Sequence, residues 1–294
     1  MSMDDLKANN RWNAASPSSG RVRAPVELHY AMTATTTRER SVCIMDLPIS
    51  MQTPNDVLRG MEDAITRRDR GRYISITNTE SMYHGLRIES HGRHIRNADY
   101  SLCDGVGVIV AGWAWGHRIE RFNGPVLQLE ASDHGQSRGW RHFFYGGKEG
   151  VADEMARRLR EKYPDLIVCG TYCPPFRELS LEEDQAVVDM INRTLPDIVW
   201  VGLGLVKQER WIQQHLNRID APWMVGVGAA FDYHAGAVPW APAFLRTLGL
   251  EWLFRLIIQP KLRAKRYWWS FVFVAESTLK GLLSLQFLRK STSP

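Results

Sequence analysis

The sequence predicts an α/β fold, Rossmann-like, with a largely parallel sheet carrying helices on both faces and a C-terminal helical appendage suited to a membrane surface. Three observations predict it. From Ser41 onward, short apolar β-branched runs alternate with helix-length amphipathic segments, the pattern of strands joined by crossover helices. Two such crossovers fit within residues 141–204, which makes a doubly wound core. The charge is also split along the chain: 37 Lys+Arg against 32 Asp+Glu give +5, yet residues 255–294 hold eight basic residues and one acid, Glu276. That tail is +7 and residues 1–254 sum to −2, so the basicity belongs to the tail and the usual inference to nucleic acid weakens.

The elements follow in order. Residues 1–40 are rich in Ser, Thr, Ala, Asn and Arg without apolar periodicity and read as a flexible leader. Residues 41–254 form the Rossmann-like domain. Within it a strand over 73–76 runs out into Asn78 and Glu80. A strand over 142–145 stops at Gly146-Gly147, and Val151, Met155 and Leu159 then recur at helical spacing until Pro164. The next strand covers 166–169. Ser180-Leu-Glu-Glu183 is a capping box, in which the serine hydroxyl and the Glu183 side chain satisfy each other's orphan backbone donors, so a helix runs from there to about residue 195. A strand over 197–201 ends in Gly202-Leu-Gly204. In the appendage, residues 255–294, the stretch 267–288 is mostly apolar, with Ser270, Ser277, Lys280 and Ser284 forming a narrow polar stripe. Trp268 and Trp269 suit the lipid headgroup region, and Arg255, Arg263 and Arg266 lie just before them.

Several classes are excluded. Four cysteines without a C-x-x-C pair make no disulfide framework and imply a reducing setting. No apolar stretch of signal-peptide length opens the chain, and no uncharged run approaches the ~20 residues that span a bilayer. His91 and His94 form an H-x-x-H with no partner ligand nearby, read as an exposed loop or helix face rather than a metal site. Walker, G-x-S-x-G and G-x-G-x-x-G patterns are absent, as is any Asp-x-Asp metal clamp, so no metal and no cofactor is expected.

What remains sits at strand ends. Asn78 and Glu80, Asp104 before Gly105, Lys207-Gln208-Glu209 after Gly204, and Asp232 after Gly228 all fall at predicted carboxyl ends of strands, the edge where open α/β sheets bind ligands. One well-placed carboxylate, an amide and several basic residues suit proton abstraction opposite an anionic leaving group.

Those residues carry a resemblance. Asn78-Thr-Glu80, Asp104-Gly105-x-Gly107, Arg121-Phe-Asn-Gly124, Phe144-Tyr-Gly-Gly147, Gly202-Leu-Gly-Leu-Val-Lys-Gln-Glu-Arg-Trp211, Gly226-Val-Gly-Ala-Ala-Phe-Asp232 and Gly249-Leu-Glu-Trp-Leu-Phe-Arg255 follow in the order and spacing of one family. The chain resembles the WecG/TagA/CpsF glycosyltransferases over about residues 42–267. The resemblance implies an inverting, metal-independent enzyme that moves a sugar from a UDP-sugar donor to a lipid-linked oligosaccharide acceptor on undecaprenyl diphosphate. It would work peripherally at the cytoplasmic face of the plasma membrane. By the same resemblance Asp104 is the general base, and Thr77, Asn78, Arg121, Gln208, Glu209 and Asp232 bind substrate. Gly146 and Gly147 would offer backbone N–H groups to the diphosphate, and Arg255, Arg263, Arg266, Trp268 and Trp269 would meet the acceptor and an anionic membrane surface.

The chain departs from the family at Ile76, where many members carry threonine, and at Val206, Trp240 and Gln259. Its Ile-Thr-Asn-Thr-Glu and Gly170-Thr-Tyr-Cys-Pro-Pro-Phe176 segments are most similar to the exopolysaccharide branch of GumM-like glucosyltransferases, so glucose transfer is expected. The alternatives are an N-acetylmannosamine(-uronic acid) transferase of teichoic acid or enterobacterial antigen type and, further off, a non-enzymatic nucleotide or nucleic-acid binding module. No nucleic-acid partner is expected, and a homo-oligomer is left open. Deleting residues 255–294 is expected to give a more soluble protein that has lost turnover on lipid-linked acceptor.

Overall fold

The structure is a computed structural model that describes residues 40–291; but for Arg40, the expected leader lies outside the described residues. The first described unit is a hairpin, β1 (Ser41–Ile44) and β2 (Leu47–Ser50), paired antiparallel. Helix α1 (Pro54–Arg67) starts where Thr53 and Asp56 form a capping box and Pro54 sits in the first turn. Then follow β3 (Arg72–Thr77), α2 (Thr79–Gly85), α3 (Glu89–Asn97), β4 (Tyr100–Cys103), α4 (Val106–Ala114) and α5 (Gly124–Gln136). The second half contains β5 (Arg141–Gly146), α6 (Val151–Lys162), β6 (Ile167–Tyr172), α7 (Leu181–Arg193), β7 (Ile198–Gly202), α8 (Lys207–His215), β8 (Trp223–Gly226) and α9 (Ala230–His234). Three helices close the described chain: α10 (Ala243–Thr247), α11 (Glu251–Ile258) and α12 (Pro260–Ser291).

The six long-range strands form one sheet in the order β4-β3-β8-β7-β5-β6, and every pairing in it is parallel. Strand alternation sends Phe144, Trp200 and Val225 into a core with α1, α5 and α6. Phe143, Tyr145, Val199 and Met224 pack on the opposite face with α7 and α8. The α/β architecture with helices on both faces is therefore observed. The capping box at Ser180 and Glu183 starts α7 as the spacing predicts. The strand read over 166–169 extends to Tyr172, because β6 is an edge strand that follows β5 past a register shift at His142/Phe143.

His91 and His94 lie on α3 but face inward, not outward. His91 pairs with the Ser81 hydroxyl at 2.9 Å, and the His94 ring lies 4.6 Å from that of Tyr73, tilted by 34°. Burial keeps both neutral, at about 4 and about 3.

A third core joins the hairpin to α2, α3, α4 and α12 through Ile44, Leu47, Met82, Ile95, Val108 and Phe273. The boundary expected at 254/255 falls inside α11, and α12 lies across α2 and α4. Ser277 of the expected polar stripe is buried, bonded by the Trp115 indole N–H at 3.2 Å. Within that stripe Ser277 lies on the docked face, whereas Lys280 and Ser284 are exposed. Removing residues 255–294 would strip Phe273 from a filled core, so the truncated protein is expected to be destabilised. Phe273→Ala is expected to cost about 3–5 kcal/mol in denaturant unfolding, because a fully buried ring leaves a cavity.

Candidate active site

Parallel pairing places the carboxyl ends of β3, β4, β5, β7 and β8 along one edge. The ladder continues one residue past β4, with the Asp104 N–H donating to Thr77 O at 2.9 Å, and this fixes the Asp104 backbone beside Asn78. Gly105 follows at φ 116°, a conformation that costs a non-glycine residue dearly, and open space surrounds its Cβ position. The chain therefore turns away from the strand end and leaves the carboxylate half-buried beside a gap. Among the described residues the Asp104 side chain makes no hydrogen bond or ion pair.

Charges surround it. Phe122 N–H bonds Cys103 O at 3.0 Å and pins the neighbouring Arg121 against the end of β4. Arg121 pairs with Glu251 at 2.8 Å and donates to Arg246 O at 3.1 Å. Its Nε is buried without a partner. Burial, then the negative charge of Glu251, push Asp104 up to about 6, against the opposing pull of Arg121 and Arg255.

Across the edge lies a cationic group. Arg263 is buried and bonds Gln259 Oε1 at 3.2 Å; burial and the like charges of Arg255 and Arg266 bring it down to about 10. The Arg255 guanidinium sits 5.4 Å from the Tyr233 ring. Among the described residues neither arginine forms an ion pair with a carboxylate. Asp232, in the first turn of α9, is raised by burial and lowered in turn by Lys148, Arg263 and Arg255. Arg263, crowded by like charges with burial working against its own, favours an anionic ligand.

Gln208 and Glu209, in the first turn of α8, are both buried, with Gln208 Nε2 donating to Glu209 Oε1 at 3.1 Å. Gln208 Oε1 and Glu209 Oε2 lack partners. The turn that delivers them holds Val206 at φ 72°, a left-handed conformation for a β-branched residue that stores about 1–3 kcal/mol. Burial raises Glu209 to about 7. Its folded value lies above its unfolded one, so stability is highest below about 4.5 and falls as pH rises through 7. Glu209→Gln is expected to gain up to about 3 kcal/mol on the wild type at pH 8 and nothing at pH 4, read from thermal melts at both values.

Other expected site residues are placed differently. Thr77 is fully buried, its hydroxyl tied to Ser101 Oγ at 2.8 Å and Ser75 Oγ at 3.1 Å, so it is not offered to a ligand. Asn78 caps α2 by accepting from Ser81 N–H at 2.9 Å, which leaves its amide NH₂ available. Gly147 N–H is already bonded to Gly202 O at 3.0 Å, and a Cβ on Gly146 would meet Gly202 backbone at 2.7 Å. That glycine pair serves close strand approach, and the Gly147 donor expected for a diphosphate is spent. Arg255 and Arg263 lie within electrostatic reach of Asp232, and Arg255 of Asp104 as well. Arg266 is held by Glu80, with Nε 2.7 Å from Oε2, and Trp269 stacks on Tyr83 at 4.9 Å. Only Trp268 of this set faces outward, 60% exposed.

Sequence reasoning missed Glu251, although it lies inside a quoted motif. The signal was available: Arg121 near a buried strand end needs a counter-charge, and Glu251 and Arg255 stand four residues apart on one helix face.

A family profile described as Glycosyl transferase WecG/TagA/CpsF family matches residues 42–285. A Bacillus spizizenii N-acetylglucosaminyldiphosphoundecaprenol N-acetyl-beta-D-mannosaminyltransferase is 27% identical over 201 residues, 68% of this chain and 76% of the relative. A Staphylococcus aureus protein of the same name is 29% identical over 194 residues, 64% of this chain and 73% of the relative. These relatives are mannosaminyltransferases, which overturns the expected glucose transfer and the GumM-like placement and agrees with the first alternative. The short segments that favoured glucose carry less weight than similarity spread over two thirds of the chain.

Proposed function

The chain belongs to the WecG/TagA/CpsF glycosyl transferase family, and from that premise we propose that it transfers an N-acetylmannosamine-type sugar from a UDP-sugar to a saccharide on undecaprenyl diphosphate. The observation that carries this reading is the pairing of one half-buried carboxylate, Asp104, held at about 6, with the unpaired cations Arg255 and Arg263 across the same edge.

The reaction is a single displacement with inversion. Asp104 takes the proton of the acceptor hydroxyl as its oxygen attacks the anomeric carbon. The bond from that carbon to the diphosphate breaks, and its electron pair leaves on UDP. Arg255 and Arg263 neutralise the departing charge, a task that suits cations fixed in place before the reaction and needs no metal. Asp232 and Asn78 then orient hydroxyls of the sugars. Arg121 is held by Glu251 near the end of β4.

The acceptor's lipid requires the enzyme at a membrane surface, proposed as the cytoplasmic face. Among the described residues no helix is long and apolar enough to cross a membrane. Contact would instead be made by α10, α11 and α12, which pack in sequence and expose Phe244, Leu248, Trp252, Ile257, Trp268, Phe271 and Leu279. Mass spectrometry of a lipid-linked N-acetylglucosamine acceptor after incubation with a panel of UDP-sugars tests the reading. A gain of one N-acetylhexosamine, from the manno-configured donor alone, is expected; gain of a plain hexose, or no gain from any donor, overturns it.

A further inference from the structure

We propose that Tyr233 is a substrate-binding residue of the transfer: its ring holds the Arg255 guanidinium at the sheet edge, and its buried hydroxyl donates to an oxygen of the donor's diphosphate. The inference rests on the reading of the chain as a UDP-sugar transferase and adds a neutral donor to the cations assigned there.

Tyr233 lies on α9, next to Asp232, in the segment that leaves the carboxyl end of β8. It is 8% exposed, and among the described residues its hydroxyl has no hydrogen-bond partner. A hydroxyl buried in this way costs free energy in the unliganded chain, and phenylalanine would fill the same space without that cost. Two contacts fix the ring. Trp240 stacks on it, with the planes 8° and the centroids 5.9 Å apart, and the Arg255 guanidinium lies 5.4 Å from its centre. Trp240 is itself held by the Arg246 guanidinium, 3.9 Å from the indole centre, and the Arg246 carbonyl is bonded by Arg121. Little freedom therefore remains for the phenol to turn toward a partner elsewhere. Burial keeps the hydroxyl well above the usual tyrosine range, so it stays protonated and serves as a donor. Among the described residues neither nearby carboxylate accepts from it, Glu251 being taken by Arg121. An oxygen-rich anion entering beside Arg255 supplies the acceptor that the fold withholds, and an O–H aimed at a departing diphosphate helps to disperse its charge. Arg255 is only half-buried, and its long side chain can swing from the ring to the incoming anion, which opens the hydroxyl to the same ligand.

Tyr233→Phe separates this role from packing, because it removes the hydroxyl and keeps the ring beside Arg255. Calorimetric titration of the full-length protein with UDP, uridine and inorganic diphosphate reads binding, and thermal melts of the ligand-free protein read the fold. The Kd for UDP and for inorganic diphosphate is expected to weaken about tenfold while that for uridine holds. The ligand-free variant is expected to melt about 2–4 °C above the wild type, since the orphan hydroxyl is gone. A tyrosine that only packs would give the higher melting temperature alone. UDP affinity equal to that of the wild type overturns the proposal, as does an equal loss for uridine, which would assign the hydroxyl to the nucleoside. A variant that melts lower in the free state overturns it as well, because the hydroxyl then has a partner within the fold. The inorganic diphosphate arm keeps this test apart from the transferase reading. Tyr233-dependent binding of that ion by a protein that binds no UDP supports the hydroxyl site and removes the UDP-sugar reading, and a wild type that binds neither overturns both.

Discussion

Asp104→Asn is expected to lower transfer by about 10³-fold while UDP binding survives within a factor of about three. Asparagine is the same shape but cannot take the acceptor proton. The cations assigned to the diphosphate, Arg255 and Arg263, belong to other elements and keep their places. The wild type should lose activity below about pH 6, where Asp104 becomes protonated, and the variant should show no such limb. Stability gives an independent check on folding. The folded value of Asp104 is raised above its unfolded one, so its contribution is fully present below about 4 and lost as pH rises through 6. The asparagine variant, free of that penalty, should melt no lower than the wild type at pH 8. An inactive variant that melts lower would report damage instead of a missing base, and a variant with wild-type turnover would remove Asp104 from the mechanism.

The parts of this enzyme that the sequence discloses are those governed by local rules. Buried parallel strands read as continuous apolar runs because both faces are covered, and glycines end them where the backbone must turn, as at Gly105 and Gly146. Motif order then brings Asp104, Gln208 and Asp232 to one edge, since parallel topology leaves few alternatives. Pair partners far apart in the chain stay hidden. Arg121 and Glu251 are 130 residues apart, and Glu80 and Arg266 are 186. The tail shows why periodicity alone fails. Helix α12 is apolar on two faces, one docked through Phe273 and one exposed through Phe271, and its polar stripe divides between them, Ser277 buried and Ser284 exposed. Arg255, Arg263 and Arg266 read as a group that meets the acceptor and the membrane; in the fold Arg266 is held by Glu80, while Arg255 and Arg263 lie within electrostatic reach of Asp232. The donor sugar was least legible, because polar side chains such as Asn78 and Asp232 look alike whichever sugar they would hold.

Replacing Trp268, Phe271, Leu279 and Leu282 together by glutamine is expected to release the enzyme from lipid vesicles and to abolish turnover on the undecaprenyl-linked acceptor. These residues recur at three, eight and three positions along α12 and lie on its outward side, between half and two thirds exposed. None belongs to the buried core that docks the helix, so the fold should melt as the wild type does. An outward apolar face of this kind is costly in water and marks a surface that something covers. Inserted to partial depth, each side chain contributes about 1 kcal/mol, so four losses together weaken partition by about 10³-fold. Charge contributes less than the +7 tail implies, because three of its eight basic residues turn into the body. The catalytic edge lies on the other side of α12 from this face, and turnover on a short-chain, water-soluble acceptor should persist. Flotation with anionic vesicles measures the first effect and the two acceptors separate it from chemistry. A quadruple variant that still floats, or one that loses the soluble acceptor as completely as the lipid-linked one, would show that this face does not serve the membrane.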